Sequence, residues 1–176
     1  MAILQGRVSL RPITADDYPL LVKWNRDPEL HELMGAAYPE SIEGCADWHR
    51  QILGDRQRQL FGIEVEGIGL IGDVELDHIA WRSGDAELRI RIGEPQWRGR
   101  GFGTEAVRLL LAYAFGALRL NRVYLRVLSY NAPAIACYRK AGFKAEGVVT
   151  RRVDGDLREI VLMRILRDEF QNHNAA

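Results

Sequence analysis

The segment Gln96 to Ala106 constrains this chain most, because it places three glycines and two arginines between a strand-like run, Ala86 to Ile92, and a helix-like run that starts near Gly101. Glycines let the backbone turn with positive φ and approach a ligand closely, so that successive N–H groups converge on an anion. The positive pole of the following helix adds to this, and Arg98 and Arg100 supply charge. The segment therefore reads as a β-loop-α unit built to hold phosphate.

Two better-known phosphate loops do not fit. A P-loop needs a Lys and then Ser or Thr after its last glycine, whereas Gly103 is followed by Thr104 and Glu105, without the lysine that reaches a γ-phosphate. A dinucleotide fingerprint needs G-x-G-x-x-G and an acidic residue roughly 20 positions on; this chain offers G-x-G-x-G, with Leu120-Asn121-Arg122 at that offset.

The remaining composition narrows the partners. With 24 basic and 24 acidic residues among 176 there is no global field for nucleic acid. The expected partner is a small-molecule or peptide amine, without nucleic acid or membrane. The N-terminal residues carry charges and no long apolar run, and no stretch of about 18 apolar residues occurs, so the expected compartment is the cytoplasm. Cys45 and Cys137 lack metal spacing, and His31, His49, His78 and His173 are scattered, so no metal site is expected.

Along the chain, Val8 to Ile13 alternates as a strand, Thr14 precedes a helix over Ala15 to Trp24, and Asn25 to Pro39 is irregular. Ser41 opens a second helix to about Leu53. Three strands follow, Gln59 to Val65, Leu70 to Asp77 and Ala86 to Ile92. After the glycine loop come a helix to about Ala117, the strand Arg122 to Val127, and a helix from Ala132 to Lys140 stopped by Gly142. Phe143 to Val153 and Arg158 to Ile165 flank Asp154-Gly155, a strong hairpin signal. One α+β domain over 7–168 is expected, with a mixed, mostly antiparallel sheet of about seven strands, helices on both faces, and a tail over 169–176.

A second constellation lies at Asn131 to Phe143. Asn131 caps a helix with Pro133 in its first turn, and Tyr138 returns to nearly the same face two turns later, so a polar cap and a phenol can meet one extended ligand.

Together the two constellations resemble the GNAT superfamily of acetyl-coenzyme A dependent N-acetyltransferases. Arg98-Gly99-Arg100-Gly101-Phe102-Gly103 fits its loop pattern Q/R-x-x-G-x-G/A. Asn131, Ala134, Tyr138, Lys140, Gly142 and Phe143 match its second conserved region. Ala86-Glu87-Leu88 and the closing hairpin are similar to the branch that includes ribosomal-protein N-terminal and spermidine acetyltransferases. Arg89 and Arg91 stand where that branch often has small or aromatic residues, which bears on the acceptor.

The resemblance implies a fold, a GNAT-like sheet with a β-loop-α-β core, and a cosubstrate, acetyl-CoA. It implies cofactor contacts from the backbone of Ile90, Arg91 and Ile92, from Arg98, Gly99, Arg100, Gly101, Phe102, Gly103 and Thr104, and from Asn131. It also implies that Tyr138 gives its proton to the departing thiolate.

Transfer to an amine further needs that amine neutral. An alkylamine of pKa about 10.4 is only about 0.1% neutral near pH 7.4, so a base helps it most. Glu87, acting through water, is the first candidate and Glu75 the second. Trp24, His31, Met34, Tyr38 and Trp48 are candidate pocket walls, with Asp27, Glu29, Glu32, Glu40 and Glu43 drawing in a cationic amine. The expected acceptor is a primary amine, first a protein N-terminus, alternatively a polyamine or aminoglycoside; a non-catalytic acetyl-CoA sensor is a further alternative. A homodimer is left open.

Overall fold

The computed structural model describes residues 3–34 and 38–175. An eight-stranded sheet has the order β1-β2-β3-β4-β5-β6-β8-β7. Its strands are β1 (Ile3–Gln5), β2 (Val8–Arg11), β3 (Gln59–Val65), β4 (Gly69–Ala80), β5 (Asp85–Ile92), β6 (Arg122–Leu128), β7 (Lys144–Val153) and β8 (Asp156–Leu166). The β5–β6 pair is parallel; the others are antiparallel. β1 is the strand beyond the expected seven, a three-residue edge piece too short to show periodicity.

The helices are α1 (Tyr18–Asn25), α2 (Pro28–Met34), α3 (Ile42–Gly54), α4 (Phe102–Phe115), α5 (Ala132–Ala141) and α6 (Arg167–Ala175). The residues before α1, Ala15–Asp17, form a 3₁₀ turn rather than the start of the helix. α2 lies inside the segment expected to be irregular; Pro28 opens it, and it is too short to show an apolar stripe of its own. The residues expected to trail as a tail from 169 belong instead to α6. Phe170 is buried and meets Phe115 at a ring distance of 5.4 Å.

The sheet separates two layers. Strand alternation sends Val74, Leu76, Ala86 and Leu88 toward α4, where they pack on Ala106, Leu109 and Leu110 in the main core. The opposite face carries Leu60 and Leu70, which pack with α1 and α3 through Leu21, Trp24 and Cys45. On that second face β4 and β5 also present Asp73, Glu75, Asp77, Glu87 and Arg91, all buried. Gly93, just past β5, admits Trp24 to the sheet: a Cβ there would lie 2.1 Å from the indole.

Candidate active site

β5 and β6 pair only from Asp85 to Glu87 against Arg122 to Tyr124. Beyond that, β5 keeps β4 as far as Ile92 and β6 keeps β8 as far as Leu128, so the two strands part in a wedge. A cavity of about 610 Å³ fills it. Leu88 to Ile92 form one wall and Arg126 to Leu128 the other, with the glycine loop, α5 and α2 closing the ends. Along the unpaired side of β5, alternate N–H and C=O groups face the cavity and can pair with an extended amide-bearing ligand.

The loop has the geometry its glycines suggest. Gly99 and Gly101 have φ of 70° and 86°, and Gly101 is the N-cap of α4. A Cβ on either would meet nothing within 4 Å, so both border open space. Gly103 sits in the first turn, where a Cβ would make only ordinary contact with Cys137 and Ile92. The unpaired N–H groups of α4's first turn therefore have room in front of them for a pyrophosphate. These features fit the cosubstrate.

Two of the expected phosphate contacts are used differently. Arg98 donates through Nε to the Ile92 carbonyl at 2.9 Å, and its fork meets Glu29 at 3.2 Å and Asp27 at 3.8 Å. It braces the loop against β5 and α2, and it occupies one backbone acceptor of the three residues expected to pair with the ligand. Arg100 lies exposed over the Trp97 ring at 5.1 Å and does not line the cavity.

On α5, Asn131 accepts the Ala134 N–H at 3.3 Å, which fixes the helix start, and both Asn131 and Tyr138 line the cavity. Tyr138 is 7% exposed and packs edge-on against Phe143 at 5.8 Å. Burial, with a smaller contribution from Cys137, pushes its phenol well above the ordinary tyrosine range, so it holds its proton until a strong base forms beside it. Cys137 receives a hydrogen bond from Thr104 at 3.3 Å, and burial raises its thiol too. It remains a neutral thiol in contact with the helix start, not a nucleophile.

Glu87 lines the cavity and is 4% exposed. Arg126 grips it with two hydrogen bonds, at 2.8 and 3.1 Å, and Arg89 and His78 stand at 3.8 and 3.6 Å. Glu75 is bound by Arg58 at 2.6 Å; burial pushes its carboxyl up against that pull, and it does not line the cavity.

Of the acids expected to attract a cation, Asp27 and Glu29 are engaged by Arg98 and Glu32 by Arg158 and Tyr130, whereas Glu40 and Glu43 are exposed and have no ion pair among the described residues. Of the proposed aromatic walls, Trp24 and Tyr38 stack on Arg91 at 5.7 and 4.8 Å. Trp48 packs on Tyr38, and His31 is exposed. Met34 alone of that group lines the cavity. Sequence reasoning missed Arg126 and Arg151, which do. Alternation along β6 puts Arg126 on the Glu87 face once the register Glu87 to Tyr124 is known, and register is what sequence does not display.

Residues 7–144 match the family model described as the acetyltransferase (GNAT) domain. The spermidine N(1)-acetyltransferase of Escherichia coli strain K12 is 29% identical over 167 residues, covering 93% of this chain and 88% of that one. An N-acetyltransferase 9-like protein of Caenorhabditis elegans is 35% identical over 148 residues, 73% of this chain and 70% of that one. The crystal structure of spermidine N-acetyltransferase from Vibrio cholerae in complex with CoA and spermine superposes with a TM-score of 0.88 at 26% identity, covering 96% of this chain and all of that one.

Proposed function

The chain belongs to the GNAT acetyltransferases, and from that premise we propose that it moves the acetyl group of acetyl-CoA to the primary amine of a small molecule. One observation carries the reading: the glycine loop at the α4 N-terminus, the unpaired edge of β5 and the buried Tyr138 phenol all face one cavity. The similar proteins named for an acceptor act on spermidine, a small-molecule amine, which supports that class over a protein N-terminus.

The N–H groups of α4's first turn hold the cosubstrate's phosphates, and the free edge of β5 receives its extended arm and polarises the acetyl carbonyl. The amine nitrogen attacks that carbonyl; a C–N bond forms and the C–S bond breaks. Tyr138 gives its proton to the departing sulfur. The proton lost by the amine passes through water toward Glu87, which Arg126 keeps oriented at the cavity wall. The Tyr138 phenolate then regains a proton from solvent.

The test is thiol release on mixing acetyl-CoA with small-molecule amines, using wild type and Tyr138→Phe. Acetyl-CoA binding without release by any amine would leave a binding protein in place of an enzyme.

A further inference from the structure

The second face of the sheet, behind and beside the cavity, is a row of ion pairs that cancel. Asp73 is bound by Arg91 at 2.7 Å and Glu75 by Arg58 at 2.6 Å. Asp77 lies between Arg58 at 3.7 Å and Arg89 at 3.4 Å, and Glu87 is held by Arg126 at 2.8 Å. Asp73, Glu75 and Glu87 each have an arginine at hydrogen-bond length and Asp77 shares two at longer range, so four buried carboxylates face four arginines and this row carries no net negative charge to hold a second or third ammonium of a polyamine.

The cavity lining itself is cationic. Arg89, Arg91, Arg98, Arg126, Lys140 and Arg151 face it, against one acid, Glu87, among the described residues. Arg98 and Lys140 belong to the loop and α5 end, beside the expected cosubstrate. Arg89, Arg126 and Arg151 belong to the acceptor end.

Arg151 is the residue that this cancellation leaves over. It lies on β7 directly opposite Arg158 of β8, and both share the hairpin face of Ile160, which lines the cavity. Like charges opposed across a strand pair destabilise it unless an anion stands between them. Arg158 has Glu32 at 3.3 Å and Asp156 at 3.8 Å. Arg151 has no ion-pair partner among the described residues. Arg89 is only loosely engaged, with both its carboxylate contacts beyond hydrogen-bond length. Arg91, finally, keeps Nη2 buried with no hydrogen-bond partner, although Nε and Nη1 bind Asp73 and Asn25 at 2.7 Å each.

From this arrangement we infer that the acceptor is a primary amine carrying an anionic group, a carboxylate or a phosphate, and that Arg151 and Arg89 take that group while the amine lies toward Glu87. The planar guanidinium fork suits both anions. The inference rests on the acetyltransferase reading above, and it separates this chain from the polyamine enzymes that it resembles in fold.

The experiment compares initial rates, by thiol release, for amine pairs that differ by one anionic group. Lysine is set against cadaverine and glucosamine 6-phosphate against glucosamine, with spermidine as the polycationic reference. The anionic member of at least one pair is expected to lead its partner, and spermidine, by roughly tenfold or more in kcat/KM. Which pair leads tells carboxylate from phosphate. Arg151→Ala is expected to erase most of that preference by raising KM with kcat little changed, and Arg151→Lys to restore part of it; the residue is exposed, so the fold tolerates both.

Cadaverine or spermidine ahead of the anionic amines, with Arg151→Ala neutral, overturns the inference and leaves acetyl transfer standing. Calorimetric binding of acetyl-CoA without turnover of any amine in the panel overturns both.

Discussion

The two ends of the wedge are built from different materials. The cosubstrate end is made of backbone: two glycines with positive φ, the N–H groups of α4's first turn and the unpaired edge of β5. The acceptor end is made of side chains, arginines and carboxylates from β4, β5 and β6 matched across the sheet, with Arg151 of β7 added unmatched. A backbone site serves any ligand with the right phosphates and amides, so it can stay constant while the acceptor changes. A side-chain site changes its preference with one substitution. That contrast accommodates a TM-score of 0.88 to a spermine-bound enzyme alongside an acceptor end whose buried carboxylates, Asp73, Glu75, Asp77 and Glu87, all lie beside arginines.

The largest expected effect tests whether the acceptor end is held by its ion pairs. Asp73→Leu strands the buried Arg91 charge and should cost about 3–5 kcal/mol of stability, whereas pairing it with Arg91→Met should recover most of that. Chemical denaturation of wild type and the two variants checks it. A single variant as stable as wild type would mean that the pair is not a structural member.

Tyr138→Phe comes next. Removing only the hydroxyl should lower kcat by about 10- to 1000-fold while leaving acetyl-CoA affinity intact, because the phenol contributes only as the sulfur departs. Since burial holds the phenol well above the usual tyrosine range, the wild-type rate should show no loss from Tyr138 ionisation as pH rises through the ordinary phenol range. A change within about twofold would make Tyr138 a packing residue.

At the cosubstrate end, Gly101→Val projects a branched side chain into the open space in front of α4 and strains a backbone at φ 86°. Acetyl-CoA affinity should fall by at least about tenfold, and stability by about 1–3 kcal/mol. Calorimetry on the folded variant decides. Unchanged affinity would remove the loop from the site and dissolve the contrast between the two ends.

The smallest effect distinguishes two uses of Glu87. As a proton acceptor, Glu87→Gln should slow alkylamine acetylation several-fold near neutral pH and recover as rising pH supplies neutral amine. If the residue serves instead to hold Arg126, the deficit should stay flat from pH 7 to 10. The pH profile with chemistry rate-limiting separates the two.

What sequence revealed divides along the same line as the wedge. Gly142 as the stop of α5, with φ 104°, Asn131 as its cap, and Asp154-Gly155 with φ of 50° and 88° as the hairpin turn were all legible. Each acts on backbone within a few residues of itself. For the same reason the glycine loop was readable before any tertiary structure. Less legible were α2, too short for a period, and α6, whose buried residue, Phe170, packs on the distant Phe115. Illegible altogether were the partners of the charged residues. Arg98 read as a phosphate ligand, but it braces Ile92, Asp27 and Glu29. Glu87 read as a general base acting through water, with no sign in the sequence that Arg126 grips it. Arg151 drew no notice. Local chemistry, in which a residue's neighbours in sequence are its neighbours in space, determined the elements and the cosubstrate loop. Strand register decided which charges cancel and which stay unpaired at the cavity, because contacts spanning 39 residues, as between Glu87 and Arg126, exist only once the sheet has formed.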